Sequence, residues 1–172
     1  MDIDLLEASN LSGLPIGELR TRREECEHYE VELSYIRRMI HGRLDVVYYD
    51  LTRRNEGRGS SDFGLIVDNL SGILSGRIHA HYSGRLSNLL APDTDEVSLE
   101  ELDAIVGAEN LYRLPDLSDD EVRAIGERLI EFEGKISDQR GRLHDVIDKL
   151  HQEIIRRYKT GEATVDSLLE ST

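Results

Sequence analysis

The chain carries one long helical pattern twice, in a fixed register. Sliding the sequence by 103 residues without a gap lays 18–54 over 121–157. Ten of the 37 aligned pairs are identical: Glu18/Glu121, Arg20/Arg123, Glu24/Glu127, Glu30/Glu133, Ser34/Ser137, Arg37/Arg140, His41/His144, Asp45/Asp148, Arg53/Arg156 and Arg54/Arg157. Ordinary composition gives roughly two or three by chance. Every identity is polar, so the copies share chemistry presented on a surface as well as a helical period.

Three prolines, Pro15, Pro92 and Pro115, leave the stretches from Ile16 and Asp116 free of the strongest helix breaker. Each follows a Leu-x-x-Leu-Pro approach, Leu11 to Pro15 and Leu111 to Pro115, and Ser118 with Glu121 forms a capping-box start for the second. A helix of 37 residues is roughly 55 Å long, too long for a small globule and suited to a coiled-coil rod. Leu33, Ile36, Ile40, Leu44, Val47 and Leu51 fall three or four apart on one side of the first helix. Ile136, Leu143, Ile147, Leu150 and Ile154 do so on the second, with Gln139 as a polar interruption. The expected fold is all-α: two long helices, about 16–55 and about 118–159, in an antiparallel coiled coil. A loosely structured connector over 56–117 holds one or two short helices, a polar tail covers 160–172, and 1–172 reads as a single helical domain. Within the connector, 55–62 reads as a turn-rich linker, 63–74 as a short apolar helix, and 76–87, with His79 and His81, as irregular. Ser98 and Glu101 form a second capping box opening a helix to about Val106.

Charge narrows the function. The formal charge of −14 argues against direct binding to a nucleic-acid backbone and favours a basic protein partner. The single Cys26, between Glu25 and Glu27, offers no disulfide framework and no thiolate cluster. No apolar run approaches the roughly 18 residues of a membrane span, and the acidic start is no signal peptide, so a cytoplasmic protein is expected. No nucleophile–base set, phosphate loop or metal motif is present; the reading is a non-enzyme with no catalytic residues and no metal. His41 with Asp45 and His144 with Asp148 are i,i+4 pairs of metal-ligand type, but Arg37 and Arg140 one turn away repel a cation. Gly42, Gly134 and Gly141 each cost roughly 1 kcal/mol in a helix. Close approach of a ligand or partner and close crossing of the two helices explain them equally well.

Glu30, Ser34, Arg37, His41 and Asp45 form a polar ladder along one flank of the apolar seam, and Glu133, Ser137, Arg140, His144 and Asp148 repeat it. An exposed face stabilised by i,i+4 pairs is the plain reading. It does not require the same residue types at five matched places. Two related half-sites suit a ligand with two related halves. Arginine offers a fork for phosphate and a flat face for a base, while Asp and Glu accept the paired N–H donors of a guanine edge. A cyclic dinucleotide with two guanines and two phosphates meets each demand twice.

The pattern E-x3-S-x2-R-x3-[Q/H]-x3-D resembles the signature of the RsiG anti-sigma factors of actinobacteria; the segments 33–38, 42–45 and 156–163 are similar to theirs as well. The resemblance implies an anti-sigma factor that holds cyclic di-GMP, as an intercalated dimer, between the two motifs and, when loaded, grips a sporulation sigma factor of the WhiG type. It implies that Arg37 and Arg140 meet phosphate or stack on guanine, that Asp45 and Asp148 take guanine edges, and that Glu30, Glu133, Ser34 and Ser137 complete the network. The family carries Gln where this chain has His41 and His144, which changes that contact and its pH dependence. A monomer then supplies both half-sites. The rival readings are a ligand-independent coiled-coil adaptor or scaffold and, third, a cyclic-dinucleotide phosphodiesterase.

Overall fold

Proline and a capping box set where the long helices start. The computed structural model describes residues 11–56 and 96–162. Helix α1 is Ile16–Asn55, α2 is Glu96–Val106, α3 is Ala108–Leu111 and α4 is Asp119–Thr160, with 3-10 turns at Leu11–Gly13 and Leu114–Asp116. The carbonyl of Pro15 accepts the amide of Leu19 at 3.1 Å, so α1 starts where proline's missing donor costs nothing. At the start of α4 the Glu121 carboxylate accepts the Ser118 amide at 2.7 Å, and the Ser118 hydroxyl accepts the Glu121 amide at 3.4 Å. That reciprocal box, led by the Ser118 hydroxyl, holds the Glu121 carboxyl below its ordinary range. Gly161, at φ 76°, ends α4 in the left-handed conformation that glycine adopts without strain.

The architecture is all-α, with α1 and α4 packed as an antiparallel coiled coil and short helices in the connector. Helix α2 begins at Glu96, so Ser98 lies inside it rather than capping it. The expected 63–74 helix, the 76–87 segment with His79 and His81, and the tail beyond Glu162 lie outside the described residues.

The chain packs as two compact units, one from residues 1–33 and 138–172, the other from 34–137. In the first, Leu19, Cys26 and Leu33 of α1 are buried, as are Leu143, Val146, Leu150 and Ile154 of α4. Burial, reinforced by Glu25 and Glu27, pushes the Cys26 thiol up. Here Val146 joins the buried seam while Ile147 is half-buried, a one-residue shift from the sequence pattern.

In the second unit Ile36, Ile40, Leu44 and Val47 of α1 are buried, along with Val122, Leu129, Phe132 and Ile136 of α4. A β-carbon on Gly126 would lie 3.4 Å from Val47 Cγ1, so this seam glycine marks a close approach of the two helices. At Gly42, Gly134 and Gly141 a β-carbon would meet nothing within 4 Å, which removes close crossing as their explanation. Helix α2 is fastened to this unit by Arg43, only 7% exposed, which donates to the Val106 carbonyl at 2.7 Å and to Asp103 at 2.5 Å. Leu102 and Val106 bury their side chains in the same unit.

Candidate functional site

In both copies the ladder Glu precedes the ladder Arg by seven residues. An antiparallel register that seats the Arg of one copy on the Glu of the other therefore does so twice. In the 34–137 unit, Arg37 Nε donates to Glu133 Oε1 at 2.7 Å and to Ser137 Oγ at 3.0 Å, while Ser137 Oγ donates to Glu133 at 2.8 Å. His41 Nε2 stands 3.4 Å from the same Glu133 oxygen. The Arg37 hydrogen bond, opposed by partial burial and helped by Ser137, holds the Glu133 carboxyl below the ordinary carboxylate range.

The other unit repeats the rung with the copies exchanged. Arg140 donates to Glu30 Oε1 through Nη2 at 2.9 Å and Nε at 3.2 Å, and His144 Nε2 lies 3.6 Å from that oxygen. Each rung thus takes its carboxylate from one ladder and its arginine and histidine from the other. The sequence pattern, with each ladder intact on its own helix, does not reveal this pairing. Ser34 and Asp45 are half-buried and Asp148 is exposed. Chemically, each rung presents a guanidinium, an imidazole and a carboxylate at a partly solvated flank; the Arg37 side chain is 39% exposed and that of Arg140 24%.

A second duplicated device escaped the sequence reading. Arg54 Nε donates to Asp50 at 2.6 Å, and its two terminal nitrogens donate to the Leu117 carbonyl at 2.7 Å, Asp119 at 2.9 Å and the Leu114 carbonyl at 2.6 Å. Despite burial, the hydrogen bonds to Asp119 and Asp50 raise the Arg54 pKa above its ordinary value. Arg157 does the same on the other unit: Nε to Glu153 at 2.9 Å, Nη1 to the Leu14 carbonyl, and Nη2 to the carbonyls of Leu11 at 2.9 Å and Ser12 at 3.1 Å. Hydrogen bonds from Arg156 and then Arg157 lower the Glu153 carboxyl to about 2. Donors, carboxylates and the accepting leucine carbonyls all correspond at the 103-residue shift. The signal lies in the pairs Leu11/Leu114 and Leu14/Leu117, which the Leu-x-x-Leu-Pro likeness hides because it aligns Leu11 with Leu111 at a shift of 100. A cleft of about 440 Å³ beside the Arg157 clamp is bordered by Leu11, Ser12, Lys149, Gln152, Glu153 and Arg156; no ladder residue lines it.

Residues 6–74 match the RsiG-like family model. Over that segment the chain is RsiG-like. The family it matches there is one of anti-sigma factors, regulators whose partner is a sigma factor. The RsiG-like segment contains the whole first motif, Glu30 to Asp45, and stops short of the second, which is tied to the first by the internal repeat and the matched rungs. A comparison with curated proteins gave no match. Among the described residues no helix is long and apolar enough to cross a membrane.

Proposed function

We propose that this chain is an anti-sigma factor gated by a nucleotide: cyclic di-GMP binds at the repeated motifs, and the loaded chain sequesters a sporulation sigma factor of the WhiG type. The observation that carries the reading is the doubled rung, Arg37, His41 and Ser137 on Glu133 and Arg140 and His144 on Glu30. A ligand with two guanines and two phosphates meets the same cation and carboxylate chemistry at each of its halves. Asp45 and Asp148, one turn beyond the histidines, supply the acceptors for guanine N–H donors. The acidic loaded chain then masks basic surfaces of the sigma factor, and nucleotide and sigma factor strengthen each other's binding by linkage.

Titration calorimetry with cyclic di-GMP decides it. The wild type is expected to bind, and Arg37→Ala or Arg140→Ala to weaken binding by roughly tenfold to a hundredfold, the worth of a charge-assisted hydrogen bond. No heat from the wild type, or equal affinity in the variants, ends the proposal. The adaptor reading draws on the same cross-helix pairs, since interhelical salt bridges also select coiled-coil partners. It predicts a melting temperature indifferent to the nucleotide and sigma-factor binding that does not need it.

A further inference from the structure

The apolar seam of a coiled coil repeats along its length, so a slide of one heptad, about 10 Å, still buries aliphatic side chains. Something other than the seam must choose the register in which Arg37 faces Glu133 and Arg140 faces Glu30. We infer that Asp50 with Arg54, and Glu153 with Arg157, are positioning residues that select this register, each for the rung in its own unit.

Three observations carry the inference. Both arginines are nearly buried, at 9% side-chain exposure, and Asp50 is fully buried with Oδ1 lacking a hydrogen-bond partner, an expensive arrangement for a helix end that needs only a cap. Across from each fork stand main-chain carbonyls at the entry to the opposite helix, Leu114 and Leu117 beside the Asp119 carboxylate for Arg54, and Leu11, Ser12 and Leu14 for Arg157, so each fork reads axial position largely through the backbone. Each clamp also lies seventeen residues beyond the arginine of its rung, Arg54 from Arg37 and Arg157 from Arg140. That is about 25 Å along a helix, far beyond contact, so any influence on the rung runs through register. Buried ionic groups are best attested in this role, since apolar replacements of similar volume often leave stability unchanged or raise it.

The full-length chain tests this with Asp50→Leu/Arg54→Met, Glu153→Leu/Arg157→Met, and all four changes together; Arg53→Lys, on the residue beside the clamp, is the control. Two-dimensional NMR of the imidazole Cε1–Hε1 groups reports the rungs directly, because His41 faces Glu133 and His144 faces Glu30. Wild type and control should show one cross-peak for each histidine. The first variant should split or move that of His41, the second that of His144, with helicity by circular dichroism retained. Unchanged single cross-peaks in a folded variant overturn the inference. So does a loss of helicity in which the remaining folded molecules keep wild-type cross-peaks, because a clamp that only holds the fold together behaves that way. Where Asp50→Leu/Arg54→Met does not fold, Asp119→Ala removes one acceptor from the half-exposed end of the same clamp and is judged by the same peak. The consequence for ligand rests on the nucleotide reading: the fourfold variant should bind cyclic di-GMP at least roughly tenfold more weakly. A wild type that binds no nucleotide defeats that reading while the histidine spectra still decide the role of the clamps.

Discussion

Replacing Gly42, Gly134 and Gly141 with alanine should stabilise the chain. All three lie inside long helices, where glycine costs about 0.8–1 kcal/mol against alanine. A β-carbon at each meets nothing within 4 Å, so no steric penalty opposes the gain. Gly134 and Gly141 are about 10 Å apart along α4 and share no partner, so their effects add. The triple variant should gain roughly 2.5–3 kcal/mol. For a chain of this size that is a rise of about 5–10 °C in melting temperature, read by thermal circular dichroism without ligand. Gly126→Ala is the internal contrast: its new methyl meets Val47 Cγ1 at 3.4 Å, and its gain should be smaller or absent. A fall in melting temperature for any of the three open positions refutes the argument, because something would then occupy that space. Should the triple variant gain stability yet lose affinity for cyclic di-GMP, the bare backbone is there to let the ligand approach.

Acid should weaken the fold in a defined window. Glu133 and Glu153 have depressed pKa values, so the stability they contribute is complete above about pH 4.3 and is lost as pH falls through their folded values, down to about 2 for Glu153; a melting temperature that stays flat over that range contradicts the assignment. Arg43→Ala removes a buried fork from the Val106 carbonyl and Asp103 and should cost about 2–3 kcal/mol, with faster hydrogen exchange at the end of α2. Exchange at α2 that matches wild type would show that Leu102 and Val106 hold it alone. Ser118→Ala breaks the capping box and should cost about 1 kcal/mol in chemical denaturation, whereas Ser118→Asp should cost little.

Much of this was readable from residues whose effects are local. Pro15 and the Ser118–Glu121 box act within one turn, so the starts of both long helices follow from them. The ladder is also legible, because the helical period places Glu30, Arg37 and His41 on one flank whatever surrounds them. What these residues pair with is not local. The match of Arg37 with Glu133 depends on antiparallel register, which a repeating apolar seam does not specify. Arg43 shows the same limit: flanked by Gly42 and Leu44, it reads as a solvated side chain, and only the docking of α2 gives its guanidinium a buried carbonyl to satisfy it. Gly126 looked like the other glycines in sequence, and the close approach of Val47 alone distinguishes it.

The rungs make Arg37 and Arg140 occupied positions, each already holding a carboxylate of its own chain. An anion arriving there must evict that carboxylate, so its net gain is the difference between two similar contacts and not the full strength of one. Such a site discriminates by how much better than a glutamate the newcomer fits, and stray phosphate at ordinary concentrations gains little from it.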